Sequence, residues 1–275
     1  MNPIKIIFLI VFFVFLLNTN AAQELYVFSN PASNLPARAI MGRGAVKLLQ
    51  SYRSLQTEYR YLTEWQAGIS HQWMISGGVS FSDMYFQNKM RGESARLYTK
   101  FRFYSQDEVQ RHFRMAAFMG VSWSRNELVY QELSLEGDNS AIQCGLTATQ
   151  LLHKLALSGT VSFIQLTGNP DKINFGLPFN RSVWQSSFSA GYLVLPFRYT
   201  SFQQVNLNLY AEFLAQYAPE VKKGFVDVAP ALQLIFNSRT RLNAGARFQL
   251  AGGMHRMAPR SWMLSVERIF LNSRR

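Results

Sequence analysis

Basic side chains recur at alternate positions along this chain. In "TRLNAGARFQL" (240–250), Arg241, Asn243, Arg247 and Gln249 share one parity, while Leu242, Ala244, Ala246, Phe248 and Leu250 share the other. An extended backbone sends successive side chains to opposite faces, so this spacing makes one cationic face and one oily face. The same parity rule groups Arg43 with Lys47, Arg60 with Glu64, and Arg96 with Lys100 and Arg102. Guanidinium and ammonium groups in rows suit the binding of anions such as carboxylates. Other chemistries leave thinner traces. Met254, His255 and Met257 in "GGMHRM" are soft-metal ligand types, too few and too scattered to define a metal site. The lone Cys144 rules out an intrachain disulfide framework and a multi-Cys metal centre. No cofactor motif is present, and no catalytic residue is assigned.

The rows of charge need strands to hold them. Among 275 residues, 16% are charged, 14% are aromatic and 48% are hydrophobic, with a net charge of +12. Few charges and many rings suit a barrel that is apolar outside and polar inside. Period-two alternation marks about twelve segments, near 38–49, 58–70, 72–82, 94–104, 112–124, 141–151, 154–166, 183–195, 204–216, 224–236, 240–250 and 261–271. Most run about 11–13 residues, against about 5–6 for globular strands and about 9–11 for a tilted membrane-spanning strand. Connectors after the even-numbered segments are mostly tight. Those after segments 3, 5 and 7 are long (83–93, 125–139 and 167–182), and that after segment 11 (251–260) is fairly long. On the oily parity, Trp73, Phe103, Phe113, Phe236 and Phe270 fall near one end of the segments, and Phe81, Trp123, Tyr217, Phe225 and Trp262 near the other. Rings at both edges of an apolar band are the signature of two membrane interfaces. The expected fold is all-β: an antiparallel up-and-down transmembrane barrel spanning 38–271.

At the N-terminus, Lys5 precedes the apolar run Ile6–Leu17, and small residues lead to a cleavage point after Ala22. The run is shorter than the ~20 residues a spanning helix needs, so 1–22 reads as a secretory signal peptide. Residues 23–37, with two prolines, read as a periplasmic lead-in, and 272–275 as a short tail. On these features the chain resembles the outer-membrane β-barrel class of Gram-negative bacteria. Its last strand, "SWMLSVERIF", ends in the aromatic Phe270 and is similar to the C-terminal assembly signal of that class, with "LNSRR" following. The stretch "ELYVFSNPASNLPARAI" is similar to the start of uncharacterised Bacteroidota-type barrels and implies no activity. The resemblance implies short periplasmic turns, longer extracellular loops, contact with outer-membrane lipid and lipopolysaccharide, and insertion by the barrel-assembly machinery.

If the oily parity faces lipid, the other faces the lumen. That parity carries Arg43, Lys47, Arg60, Arg96, Lys100, Arg102, Arg114, Arg241 and Arg247 against only Glu64, Glu212, Asp227 and Glu267. The outer connectors are nearly balanced in charge, which places the excess inside. Barrel closure predicts one wall with Arg241, Arg247, Arg43, Lys47 and Glu267, and a second patch with Arg96, Lys100, Arg102 and Arg114. Twelve strands about 4.8 Å apart and tilted by about 40° give a backbone diameter of roughly 24 Å. The expected function is a passive channel favouring small anionic solutes, by analogy with twelve-stranded channels for acidic oligosaccharides. One alternative is a non-conducting scaffold or adhesin that binds through its outer loops. Another is an outer-membrane lipid hydrolase with a Ser–His pair. Against the hydrolase, His71, His112 and His153 fall at the periplasmic ends, and His255 has no nucleophile nearby in sequence. Nucleic acid binding is not expected of an exported barrel. Nor is energy-coupled uptake, because the lead-in is too short for a plug domain.

Overall fold

A computed structural model describes residues 26–50, 57–84, 89–108, 111–167, 180–196 and 204–271. The signal segment 1–22 and the tail 272–275 lie outside the described residues. Among those described, the first six strands are β1 (Ala39–Gln50), β2 (Thr57–Gly68), β3 (Trp73–Ser82), β4 (Arg91–Glu108), β5 (Arg111–Ser124) and β6 (Ala141–Leu152). The rest are β7 (Leu155–Leu166), β8 (Ser182–Leu195), β9 (Asn206–Ala218), β10 (Lys223–Phe236), β11 (Thr240–Gly252) and β12 (Arg260–Leu271). Each pairs antiparallel with its sequence neighbours, and β1 pairs with β12 to close the barrel. Closure leaves no sheet edge along the wall, which is what allows strands to sit in lipid.

The outward parity is apolar and exposed: Trp65 is 61% exposed, Leu264 60%, and Leu97, Leu146 and Leu209 project likewise. Leaving such side chains in water forgoes about 1.5–3 kcal/mol each, so the solvent that fits this face is lipid. No helix among the described residues is long and apolar enough to cross a membrane; the strands form the apolar band instead. Both termini of the wall, Ala39 and Leu271, lie at one end, here termed the entry end. Trp73, Phe103 and Phe270 are exposed there, with Phe113 and Phe236 half-buried. Phe81, Trp123, Tyr217 and Trp262 ring the far end.

Phe225 departs from the expected girdle. It is buried inside the barrel, with the Arg256 guanidinium 3.6 Å from its ring centroid. Residues 225, 227, 229, 231 and 233 share one parity, and Asp227, Ala229, Ala231 and Gln233 are all buried. The residue two before Asp227 must follow it inward.

Two further expectations are corrected by where the connecting chain runs. Residues 26–38 do not hang below the barrel as a periplasmic lead-in. They run inside it, with Tyr26, Val27, Ala32 and Leu35 buried. The connector 125–140 is not an open outer loop. It folds into the far half, burying Gln131, Leu133, Leu135 and Asn139. Apolar side chains explain both paths: Leu133 and Leu135 pack with Ile164, Val183 and Phe225, and Leu35 packs with Met41, Met74 and Ile269.

Candidate functional site

Strand register lays charges of alternating sign around one level of the lumen. Arg241 faces Glu267, Glu267 faces Arg43, and Arg43 faces Glu64 across successive strand pairs. The next position is Gly78, and beyond it Arg96. Gly78 has a packing reason. A Cβ there would lie 2.9 Å from the Thr63 carbonyl oxygen and 3.6 Å from Arg96 Nε. With that space empty, Arg96 crosses β3 and donates from Nη2 to Glu64 Oε2 at 2.6 Å. Arg43 and Arg241 each approach Glu267 at 3.5 Å. The Arg43 atom nearest Glu267 is its buried Nε, and its Nη2 donates to the Val27 carbonyl oxygen at 3.4 Å.

In the far half the 125–140 connector supplies acids that strand parity does not count. Glu136 bonds Lys47 and sits 3.5 Å from Arg96. Asp138 and Glu93 both pair with Arg60, the Glu93 contact being 2.7 Å. Glu132 and Asp227 share Arg247 and Arg256: Arg256 reaches Glu132 at 2.8 Å and Asp227 at 2.7 Å, and Arg247 bonds both acids. Arg256 comes from the 253–259 connector, so two inward loops and β10–β11 meet in one cluster. Burial works to raise the Glu132 and Glu136 carboxyls. The adjacent arginines and Lys47 outweigh it and hold both below the usual carboxylate range.

In the entry half, side chains of the wall grip the backbone of residues 26–34. Glu212 accepts from the N–H groups of Val27 and Phe28 at 3.0 and 2.9 Å. Thr149 Oγ1 accepts from Ala32 N–H, and Lys100 donates to the carbonyls of Pro31 and Ser33 at 2.8 and 2.7 Å. Arg114 donates to Ser33 Oγ. Arg102 donates to the His71 carbonyl oxygen in an exposed contact and stays near Lys100 and Arg114, whereas Arg96, expected in the same patch, turns to Glu64 and Glu136.

The expected predominance of base over acid inside the barrel is therefore corrected. Among the described residues Glu93, Glu132, Glu136 and Asp138 join Glu64, Glu212, Asp227 and Glu267, so the acids of the lumen nearly match its cations in number. The signal for this was present: Leu128, Leu133 and Leu135 interleave with Glu132, Glu136 and Asp138, an amphipathic spacing unsuited to a solvated loop. The charges on the wall differ in exposure, however. Arg43, Arg96 and Arg247 have side chains 19, 24 and 25% exposed, whereas their wall partners Glu267, Glu64 and Asp227 are 6, 10 and 0% exposed. The acids lie against the wall and the cations face the open space. Glu136, on the loop, is the most open of the acids it sits among, at 35%.

The histidines do not converge. His112 bonds Asp107 at the entry end, His153 occupies a tight turn with φ 53°, and His71 lies beside Arg102. At the far end His255 stacks on Tyr130 at 5.3 Å, while Met254 and Met257 are buried. Among the described residues no group of three or more His, Cys, Asp or Glu side chains could hold a metal ion.

No family model and no curated protein matches the chain. Solved structures do. An outer membrane channel from Pseudomonas putida F1 aligns with a TM-score of 0.59 at 13% identity, covering 89% of this chain and 100% of that one. The NanC porin aligns with a TM-score of 0.53 at 9% identity, covering 83% of this chain and 98% of the porin. At these identities the likeness establishes the fold, a closed twelve-stranded antiparallel barrel of the kind found in outer-membrane channels and porins.

Proposed function

We propose that this protein is a passive outer-membrane channel for small solutes with a preference for anions. It is exported through the signal peptide 1–22 and inserted with its entry end toward the periplasm. The observation that carries the reading is the asymmetry of exposure in the lumen: Arg43, Arg96 and Arg247 face open space, and the wall acids that balance them are covered. A solute in that space meets these three guanidinium groups together with one open carboxylate, Glu136, and fixed cations in a confined lumen favour anions. The acids set the strength of the preference by neutralising part of the field, so selectivity is moderate rather than complete. The apolar band and its two rings of aromatics support a place in lipid, and β12, with Phe270 as its penultimate residue, is the strand offered to the assembly machinery.

The test is conductance of the refolded chain in planar bilayers under a potassium chloride gradient. A reversal potential toward that of chloride supports the reading. Cation preference overturns the anion assignment, and absence of any current overturns the channel.

One observation favours a second reading. The two inward segments, 26–38 and 125–140, both lie within the lumen, as in a barrel that serves as a scaffold for its outer surface. That reading predicts no current from the wild type or from any variant that frees either segment.

A further inference from the structure

The most informative side chain in the lumen is a carboxylate on a loop. Glu136 extends from the 125–140 connector to the wall, bonds Lys47 through Oε2 and sits 3.5 Å from Arg96 through Oε1. Arg43 contributes to the field at the same carboxylate. Lys47 and Arg96 come from β1 and β4, and Arg43 lies four residues from Lys47 on the same face of β1. Two cations from two strands thus meet one acid that belongs to neither strand, while Arg43 acts on it from further off, its own nitrogens turned to Glu267 and the Val27 carbonyl oxygen.

The rest of the loop is fastened independently of Glu136. Leu133 N–H donates to Gln216, Leu135 is buried, Asp138 pairs with Arg60, and Glu132 is clamped by Arg256. The Glu136 side chain is 35% exposed to open lumen, so it can rotate away without unseating the loop. Gly137 follows at φ +132°, close against the Arg60–Glu93 pair, and fixes the backbone on the other side. The contacts made by Glu136 are those that any small carboxylate would make in its place.

We propose that Lys47 and Arg96 form a binding site for the carboxylate of a small organic acid, and that Glu136 occupies this site as a tethered competitor. The proposal rests on the reading of the protein as an anion-favouring channel and deepens it by naming the solute's reactive group and its place. Binding is an exchange of one carboxylate for another. Free Glu136 would swing into the lumen space while the solute takes Lys47 and Arg96. Because the competitor is intramolecular, the wild-type site binds weakly and releases readily, which suits a conduit.

The experiment uses the full mature chain folded in detergent, with heat-dependent gel migration as the folding check. Binding of gluconate is measured by titration calorimetry, with sorbitol as the polyol that lacks the carboxylate. The wild type should bind gluconate weakly, and Glu136→Gln should bind it with a dissociation constant about tenfold lower, because the competitor's charge is gone. Sorbitol should bind neither. Lys47→Gln should abolish gluconate binding in either background, which keeps the test open if Glu136→Gln does not fold. Equal affinity in wild type and Glu136→Gln, or binding of sorbitol equal to that of gluconate, would overturn the site. Bilayer recordings separate this from the channel reading: gluconate binding without current leaves the site and removes the channel, and chloride current without gluconate binding does the reverse.

Discussion

Arg96 reaches Glu64 by passing over Gly78, closing a 2.6 Å charge-assisted hydrogen bond across an intervening strand. The vacant Cβ position is what permits it. Gly78→Val would put branched carbon where the backbone of Thr63 and the Arg96 side chain already lie, at 2.9 and 3.6 Å from a Cβ. The variant should lose roughly 1–3 kcal/mol in denaturant titration, through steric strain and a Glu64 that loses Arg96 and keeps Arg43 and Gln66. Stability within experimental error of wild type would show that the crossing pair contributes nothing.

The clamp on the 125–140 connector centres on Arg256, whose guanidinium bonds Glu132 and Asp227 and covers the Phe225 ring. Arg256→Gln leaves the fully buried Asp227 with Arg247 alone. Breaking a buried charge pair from one side costs about 3–5 kcal/mol where no partner remains, and less here because Arg247 stays. The expected result is a barrel that still shows heat-dependent migration but whose connector is cut by protease several times faster. An unchanged cutting rate would mean that the apolar contacts of Leu133 and Leu135 hold the loop without the clamp.

The same loop should be acid-resistant. Glu132 and Glu136 have ordinary values of 4.5 that are lowered in the folded protein. Groups with depressed folded values stabilise fully above the unfolded value and lose that contribution as pH falls through the folded one. Connector protection should therefore hold from pH 7 to about pH 4.5 and decline only below it. Loss of protection between pH 7 and 5.5 would contradict the ion-pair account.

Residues 26–34 are held by contacts to their backbone, with Glu212 accepting from two successive N–H groups while almost fully buried. Glu212→Gln removes the charge that strengthens both bonds. Deuterium should then exchange faster at Val27 and Phe28 while exchange along β9 stays as in wild type. Parallel acceleration along β9 would point to a general loss of structure instead.

Much of the barrel is legible in the chain, and the reason is geometric. Strand parity has period two whatever the fold around it, so Arg241 and Leu242 declare opposite faces without any tertiary information. Closure then follows from strand number and register. Connectors carry no such period. Glu132, Glu136 and Asp138 belong to a loop whose direction is set by apolar contacts to distant strands, such as Leu133 with Val183. Counting charges by strand parity therefore omitted the acids that balance the lumen. Tyr26, Val27 and Leu35 were misplaced for the same reason: prolines and turn formers in the lead-in give local shape but no destination. Phe225 was legible, since the parity of Asp227 already fixes it.

Arg241 and Arg43 share Glu267 as a partner yet should behave differently when neutralised. Both approach it at 3.5 Å, but Arg241 has a side chain only 1% exposed and Arg43 one that is 19% exposed. A buried guanidinium contributes through packing and its fixed partner, and it presents little charge to a passing ion. One with an open face acts on ions in the lumen through partly screened water. Arg241→Gln is expected to lower the heat stability of the barrel while leaving the reversal potential near its wild-type value. Arg43→Gln is expected to leave heat stability nearly unchanged and to move the reversal potential toward zero, most clearly at low salt. Glu267 keeps one arginine in each variant, so neither leaves it alone in the wall. The pair of variants is read by both measurements together. If the two substitutions shift selectivity equally, exposure inside the lumen does not decide which charges an ion feels. If Arg43→Gln alone destabilises, Arg43 rather than Arg241 is the partner that seats Glu267.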